Sequence, residues 1–412
     1  MRGKLFLLFA CLLNLDAFSA EFEHYWTVRG ERIQSISSNH NGDNSEWVGQ
    51  FFYETQSDVT EILSIDIGKR ISKDRLGEPG SRDNSYHSDV SKPNYIDSTL
   101  KWELRHFHLN LAPERCVWQL DSCEITLGKQ RVTWGQADEL KILDVVNPRS
   151  YERFNLDASD DAHIPLWMVN LELGKGDHSV QLLWAWDTTS HILPASDSAY
   201  RISTPIWLGK IPTIDAEMPF TFTPYSAPAI SLKNSDAGIK FDTFLAGWDM
   251  SLHYLYHLSD LPKRYVSVSP DQISIYFETP RQQMLGLSLS NTFGSLAFRS
   301  ELAYTLDQTH ASDLSPVAVA EGDEVALLTG FDWHGFSDGF LSVQLVFSHF
   351  ATSDYSSNRD MTDVLSTALY QHHFLNETLL FKWRWAHNAK VGDGLHQTSI
   401  GYDVSDEMRV GL

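Results

Sequence analysis

The most persistent regularity in the chain is an apolar residue at every second position, kept up over segments of about ten residues. That period belongs to a strand with one oily and one wet face, because successive strand side chains point to opposite sides. Residues 378–387 carry it most clearly, with Leu379, Phe381, Trp383 and Trp385 set against Lys382, Arg384 and the small Ala386. Trp248, Met250, Leu252, Tyr254 and Tyr256 alternate in the same way with Asp249, Ser251, His253 and His257. Fifteen such segments are expected, at 47–55, 59–68, 99–109, 122–131, 164–173, 178–187, 237–244, 249–257, 282–290, 295–304, 324–333, 340–350, 363–372, 378–387 and 396–404.

The connections alternate too. Short turns such as Asn291 to Gly294, Gly335 to Gly339 and Phe374 to Glu377 take turns with long polar stretches such as 69–98, 188–236 and 305–323. Tight turns at one end and long loops at the other are the mark of an outer-membrane barrel. The expected fold is therefore all-β: a transmembrane antiparallel β-barrel of about 16 strands over residues 47–412. Fifteen is odd, and single-chain bacterial barrels have even counts. Met408 to Leu412 begin a further segment of five residues, so the chain is expected to stop before closure.

Composition supports the same picture. Hydrophobic residues make up 42% with a mean hydropathy of −0.26, yet 12% of residues are aromatic and 13 are Trp. A barrel reconciles these, since half of each strand is apolar and the other half lines a wet lumen. Trp184, Trp186, Tyr254, Tyr256, Trp383 and Trp385 are candidates for aromatic girdles at the headgroup level. A soluble β-sandwich shares the strand period and is the competing architecture. No run of about 18 apolar residues follows residue 20, which excludes a spanning helix. The net charge of −22 makes nucleic acid a poor partner.

Residues 1–19 read as an export signal: Arg2 and Lys4, an apolar core from Leu5 to Leu13, and Ala17-Phe18-Ser19 before the cut. Residues 20–46 are expected to form an N-terminal periplasmic or lumen segment. Removing Cys11 with the signal leaves Cys116 and Cys123 on either side of a hairpin turn, where a disulfide is favoured over a metal site.

One stretch breaks the strand rhythm. Trp134-Gly135-Gln136-Ala137-Asp138 leads into Glu139–Val146, where Leu140, Ile142, Leu143 and Val146 have helical spacing, and Asn147-Pro148 ends it. Residues 132–162 are thus expected to be an inward-folded loop with a short helix, narrowing the lumen. The run Leu127-Gly128-Lys129-Gln130-Arg131-Val132-Thr133-Trp134-Gly135-Gln136-Ala137-Asp138 resembles the signature of the domain-of-unknown-function 1302 family, as do Asp144-Val145-Val146-Asn147-Pro148 and Asp160 to Met168. The resemblance implies a porin-like protein in the outer membrane of a Gram-negative bacterium, in contact with outer-membrane lipid and working beside an inner-membrane exporter for hydrophobic compounds. It implies no catalytic residue, and it implies members longer than this chain.

Candidate lumen residues are Lys129, Arg131, Glu139, Lys141, Asp144, Arg149, Arg153, Asp157, Asp160, Asp161 and His163. Two readings stand side by side for them: a constriction whose acid and base rows order polar solutes, or a latch tying the loop to the wall by ion pairs. The expected function is a channel for small solutes or hydrophobic compounds, with no cofactor and no metal. An envelope enzyme acting on lipid is the alternative of another class, but no Gly-x-Ser-x-Gly, His-Glu-x-x-His or phosphate-binding glycine loop occurs. His106 with His108, and His253 with His257, each share a strand face without an identifiable third metal ligand.

Overall fold

The computed structural model describes residues 22–34, 45–60, 63–74, 84–96, 100–113, 116, 119–137, 140–153, 159–194, 219–312, 319–352, 361–405 and 408–411. The signal region, Glu139 and Asp157 lie outside them. The strands are β1 Phe22–Gln34, β2 Ser45–Thr60, β3 Leu63–Asp74, β4 Asn94–Tyr95, β5 Leu100–Leu111, β6 Ser122–Gln130, β7 Leu166–Lys175, β8 His178–Ala185, β9 Phe220–Phe222, β10 Asp236–Leu245, β11 Trp248–Leu258, β12 Lys263–Val268, β13 Ile273–Glu278, β14 Arg281–Phe293, β15 Leu296–Ala311, β16 Val319–Phe336, β17 Gly339–Thr352, β18 Thr362–Phe374, β19 Leu379–Asn388, β20 Gly394–Ser405 and β21 Met408–Gly411.

Eighteen of these form one sheet. It is an antiparallel meander in which each long strand pairs with the next along the chain, from β1–β2 through β20–β21. Strands β9, β12 and β13 make a separate three-stranded sheet within the long connections. Among the described residues no pairing joins β1 to β21. The strand count thus exceeds the expected sixteen. Residues 22–34, read above as a segment outside the strands, pair with β2 along their whole length. The long connection expected at 305–323 is mostly strand, because β15 runs to Ala311 and β16 starts at Val319.

Every oily row expected from the alternation lies on the outer face of the sheet. Leu252 (57% exposed), Leu285, Leu302, Leu327 and Leu345 (52%) sit on successive strands and stay open. The opposite positions are closed and mostly polar: Ser251, His253, Ser288, Glu301, Asp332, Ser342 and Gln344 are all buried. The small apolar core sits on that inner side, where Trp134, Leu143 and Val146 pack against Met168, Leu183, Leu255 and Met284.

The tight connections, 176–177, 246–247, 294–295, 337–338 and 375–378, all lie at one end of the sheet. Rings crowd there. Trp248 meets Phe293 and Phe298, Phe298 meets Phe331, Trp333 meets Phe336, and Phe336 meets Tyr370, with centroids 4.7–6.1 Å apart. Of the residues expected in girdles, Trp184 and Tyr256 are exposed on the outer face, nearer the opposite end of their strands. The connection between β5 and β6 also belongs to the tight-turn end and is closed by a Cys116–Cys123 disulfide with Cα atoms 5.7 Å apart.

Candidate functional site

Residues 131–137 and 140–149 cross the inner face of the sheet, and side chains of the wall accept several of their backbone N–H groups. An irregular buried segment needs partners for its N–H groups, and none comes from regular pairing here. Glu301 of β15, 1% exposed, accepts three of them. Its Oε1 accepts from the N–H of Gln136 (2.7 Å) and Ala137 (2.9 Å), and its Oε2 from that of Ile142 (2.9 Å). Gln344 of β17 accepts from the N–H of Leu140 at 3.0 Å, and Trp134 donates its indole N–H to Gln181 of β8 at 2.7 Å. Two glycines make the fit possible. Gly135 has φ +85°, and a Cβ there would lie 2.5 Å from the Glu301 carboxylate; a Cβ on Gly286 of β14 would lie 2.5 Å from Leu143.

The helix expected from the spacing over Glu139–Val146 is absent from the described part, Leu140–Val146, which runs through bends with Leu143 fully buried. The apolar positions there answer to pockets in the wall, and a carboxylate takes the N–H groups that a helix would have paired internally. One helical turn does occur, at Ser159–Ala162, and it holds Asp160 and Asp161. Asn147 closes the crossing: its Oδ1 accepts from Val132 N–H (2.8 Å) and its Nδ2 donates to the Ile164 carbonyl (3.0 Å).

The expected charges fall into three groups. Asp144, Arg131 and His163 come together, with His163 Nε2 3.2 Å and an Arg131 nitrogen 3.9 Å from Asp144 Oδ2. Burial pushes the Asp144 carboxyl up, but the hydrogen bond and charge of His163, with Lys141 and Arg131, outweigh it and hold the group below its usual range. Asp161 binds Arg29 of β1 at 2.5 Å, while Arg105 of β5 donates to the carbonyls of Asp161 (3.0 Å) and His163 (2.6 Å). Lys129 is buried elsewhere, donating to Ser91 at 2.9 Å. Arg153 is half-buried in a turn that follows the crossing. Lys141 and Arg149 stand apart, because both line open space.

That space is a cavity of about 540 Å³ between residues 140–151 and the long-loop ends of β11, β14 and β15. Its walls carry Lys141, Asp144, Arg149, Lys263, Asp260 and Asp363, together with His191, His257, His310, Gln282 and Gln308. His191 accepts the Arg149 backbone N–H through Nδ1 at 2.9 Å, which leaves Nε2 as the protonated nitrogen. Burial, helped by Arg149 and Lys263, pushes its pKa down to about 3, so the ring is neutral near pH 7. Burial also lifts the Asp260 carboxyl well above the carboxylate range, with nearby Asp236 adding to the effect.

Two buried hubs carry no motif in the sequence. One is Glu301. The other is Asp187, whose carboxylate accepts from the hydroxyls of Ser88, Ser91 (2.5 Å) and Thr189 (2.7 Å) and from the N–H of Trp167 (3.3 Å). It knots residues 88–91 to the start of the connection after β8. The run Asp187-Thr188-Thr189-Ser190 was the available signal, since Asp and Thr side chains readily take nearby backbone and hydroxyl donors.

A family model described as a protein of unknown function, DUF1302, matches residues 121–401. The chain belongs to that family. No curated protein matches this DUF1302 chain. Among solved structures it is similar to OmpT, an outer-membrane protein of Vibrio cholerae, at 10% identity over 97% of this chain and 93% of that one, with a TM-score of 0.48. It is also similar to the outer-membrane channel DcaP of Acinetobacter baumannii, at 9% identity over 95% of both chains with a TM-score of 0.46. A third likeness is OpdK of Pseudomonas aeruginosa with vanillate, at 13% identity over 96% and 93% with a TM-score of 0.47.

Proposed function

We propose that this DUF1302 chain is an outer-membrane channel that passes small solutes through a lumen narrowed by residues 131–149. The orientation of the alternating faces carries the reading. Rows of exposed Leu, Phe, Tyr and Trp cover the outside of the sheet strand after strand, far beyond the isolated apolar residues a water-exposed surface keeps. The buried inner face is polar and holds ion pairs such as Arg299–Asp332 at 3.1 Å. A soluble sandwich would turn the oily rows toward one another. The crowded rings at the tight-turn end suit the headgroup level, and in bacterial barrels the tight turns face the periplasm. The cavity then belongs to the outer half of the lumen.

The enzyme alternative has one observation to answer. Ser251 and His253 approach to 2.6 Å between Oγ and Nε2. Both are buried, the Trp134 ring lies 5.1 Å from the imidazole, and no carboxylate among the described residues bonds His253 Nδ1. The pair is closed to a lipid substrate, and we assign it to wall packing. Reconstitution in planar bilayers tests the channel: discrete ion-conducting steps are expected, together with a mobility shift between unboiled and boiled SDS gels. A purified, gel-shifting protein without conductance would overturn the reading.

A further inference from the structure

We propose that the cavity beside residues 140–151 is a binding site for a small organic carboxylate, whose anionic head meets Lys141 and Arg149 and whose apolar body lies against Leu140, Val145 and Leu261. The inference deepens the channel reading and rests on it. The chain is acidic as a whole, yet this space carries as many cations as carboxylates. Lys141, Arg149 and Lys263 line it. Among the described residues neither Lys141 nor Arg149 makes a salt bridge, whereas Lys101, Arg105, Arg281 and Arg299 elsewhere in the molecule are all paired with carboxylates.

The acids nearby do not cancel this charge. Asp144 feels Lys141, but its side chain is 1% exposed and its nearest basic side chains are His163 at 3.2 Å and Arg131 at 3.9 Å. Burial lifts the Asp260 carboxyl well above its ordinary value, which weakens it as a competitor for the cations. Asp363 remains as the carboxylate on the far wall. Neutral His191 adds a ring N–H donor, since its other nitrogen is occupied by the Arg149 backbone. Guanidinium and ammonium groups that make no salt bridge among the described residues, such as those of Arg149 and Lys141, bind carboxylates through charge-assisted hydrogen bonds. About 540 Å³ falls within the range of pockets that enclose small organic molecules, and Leu140, Val145 and Leu261 give the body an apolar surface.

The test uses the full-length protein in detergent, with calorimetric titration of benzoate, benzamide, benzylammonium and inorganic phosphate. Benzoate is expected to bind at least about tenfold more tightly than uncharged benzamide, and benzylammonium not at all. Phosphate, which has the charge but no apolar body, is expected to bind more weakly than benzoate. The double variant Lys141→Gln with Arg149→Gln should lose about tenfold or more of the benzoate affinity, while Lys175→Gln at the tight-turn end should leave it unchanged. Equal binding of benzoate and benzamide, phosphate as tight as benzoate, or an unaffected double variant would overturn the proposal. If the double variant fails the gel-shift test of folding, the ligand series on the unaltered protein decides. Titration does not depend on conduction, so a protein that conducts without discriminating benzoate fails this inference alone. One that binds benzoate without conducting fails only the channel reading.

Discussion

Replacing Glu301 by Ala should release the inward segment while leaving the wall standing. The carboxylate is the acceptor for three backbone N–H groups at 2.7–2.9 Å, from Gln136, Ala137 and Ile142. Hydrogen bonds to a charged partner are worth about 1.5–3 kcal/mol each, so loss of all three would cost roughly 4–9 kcal/mol in a dry site. Water entering the space left by the deleted carboxylate would re-satisfy some of the donors. A net cost of roughly 3 kcal/mol is the reasonable expectation, or about a hundredfold more frequent opening of the segment. The strand register of β15 with β14 and β16 does not involve the carboxylate, so the gel shift should survive. Hydrogen exchange at residues 136–142 and single-channel recording are the assays, with faster exchange and larger, noisier conductance expected. Glu301→Gln keeps one acceptor oxygen and should fall between the two. Unchanged exchange and conductance in a correctly folded Glu301→Ala protein would refute the argument that this residue holds the segment.

Three further outcomes follow from the geometry. The Cys116–Cys123 bond closes a loop with a sequence separation of 7, and its removal should cost about 2–3 kcal/mol of unfolded-state entropy. Reductant should therefore speed proteolysis at residues 112–121 and leave conductance intact, and equal cleavage rates would count against a stabilising role. His87 and His191 are held neutral mainly by burial, with pKa values pushed down to about 4 and about 3 from 6.5. Between the folded and unfolded values the unfolded chain binds more protons, so packing of the loops is intact above the unfolded value and weakens as pH falls toward 4 and 3. Elevated Asp260 opposes this, and depressed Asp144 adds its share only below the ordinary carboxylate value; hydrogen-exchange protection of the inner segment, corrected for the intrinsic pH dependence of exchange, should fall between pH 7 and pH 4.5, and a flat profile would contradict this. Trp134→Ala removes a fully buried ring and its bond to Gln181, and should cost about 3–5 kcal/mol of segment docking, read as lost hydrogen-exchange protection at 131–149.

The period-two pattern made the wall legible because one oily face per strand leaves an unambiguous trace. From 99–109 onward the expected segments coincide with β5 through β20 to within a few residues, apart from the longer β15 and β16 and the short strands of the connections. β1 escaped because His24 interrupts the row of Phe22, Trp26 and Val28, and Tyr25 stands in the opposite row with Glu23, Thr27 and Arg29. The inward segment was visible as an interruption, but its conformation was not. Leu140, Ile142, Leu143 and Val146 match a helix by spacing alone, and the outcome depends on Glu301, about 160 residues further along. Candidate charges were recognisable by type and density around residues 129–163. Their division among the buried Asp144–His163 pair, the Arg29–Asp161 contact and the open Lys141 and Arg149 depends on tertiary placement, which residue types do not encode. Asp260, His191 and Lys263 joined the cavity from connections whose sequence shows only ordinary loop polarity.

The anchors of the crossing stretch have a consequence for assembly. Gln181, Glu301 and Gln344 belong to strands that emerge in order over more than 160 residues, so no partial wall offers all three. A half-built ribbon leaves its central acid bare and its passage wide. Strands β15 and β17, far along the chain from the obstruction, supply what seats it, and a slip of one residue in β15 would turn that acid to the outer face. Correct register is thereby checked from inside, by whether the obstruction finds its seat.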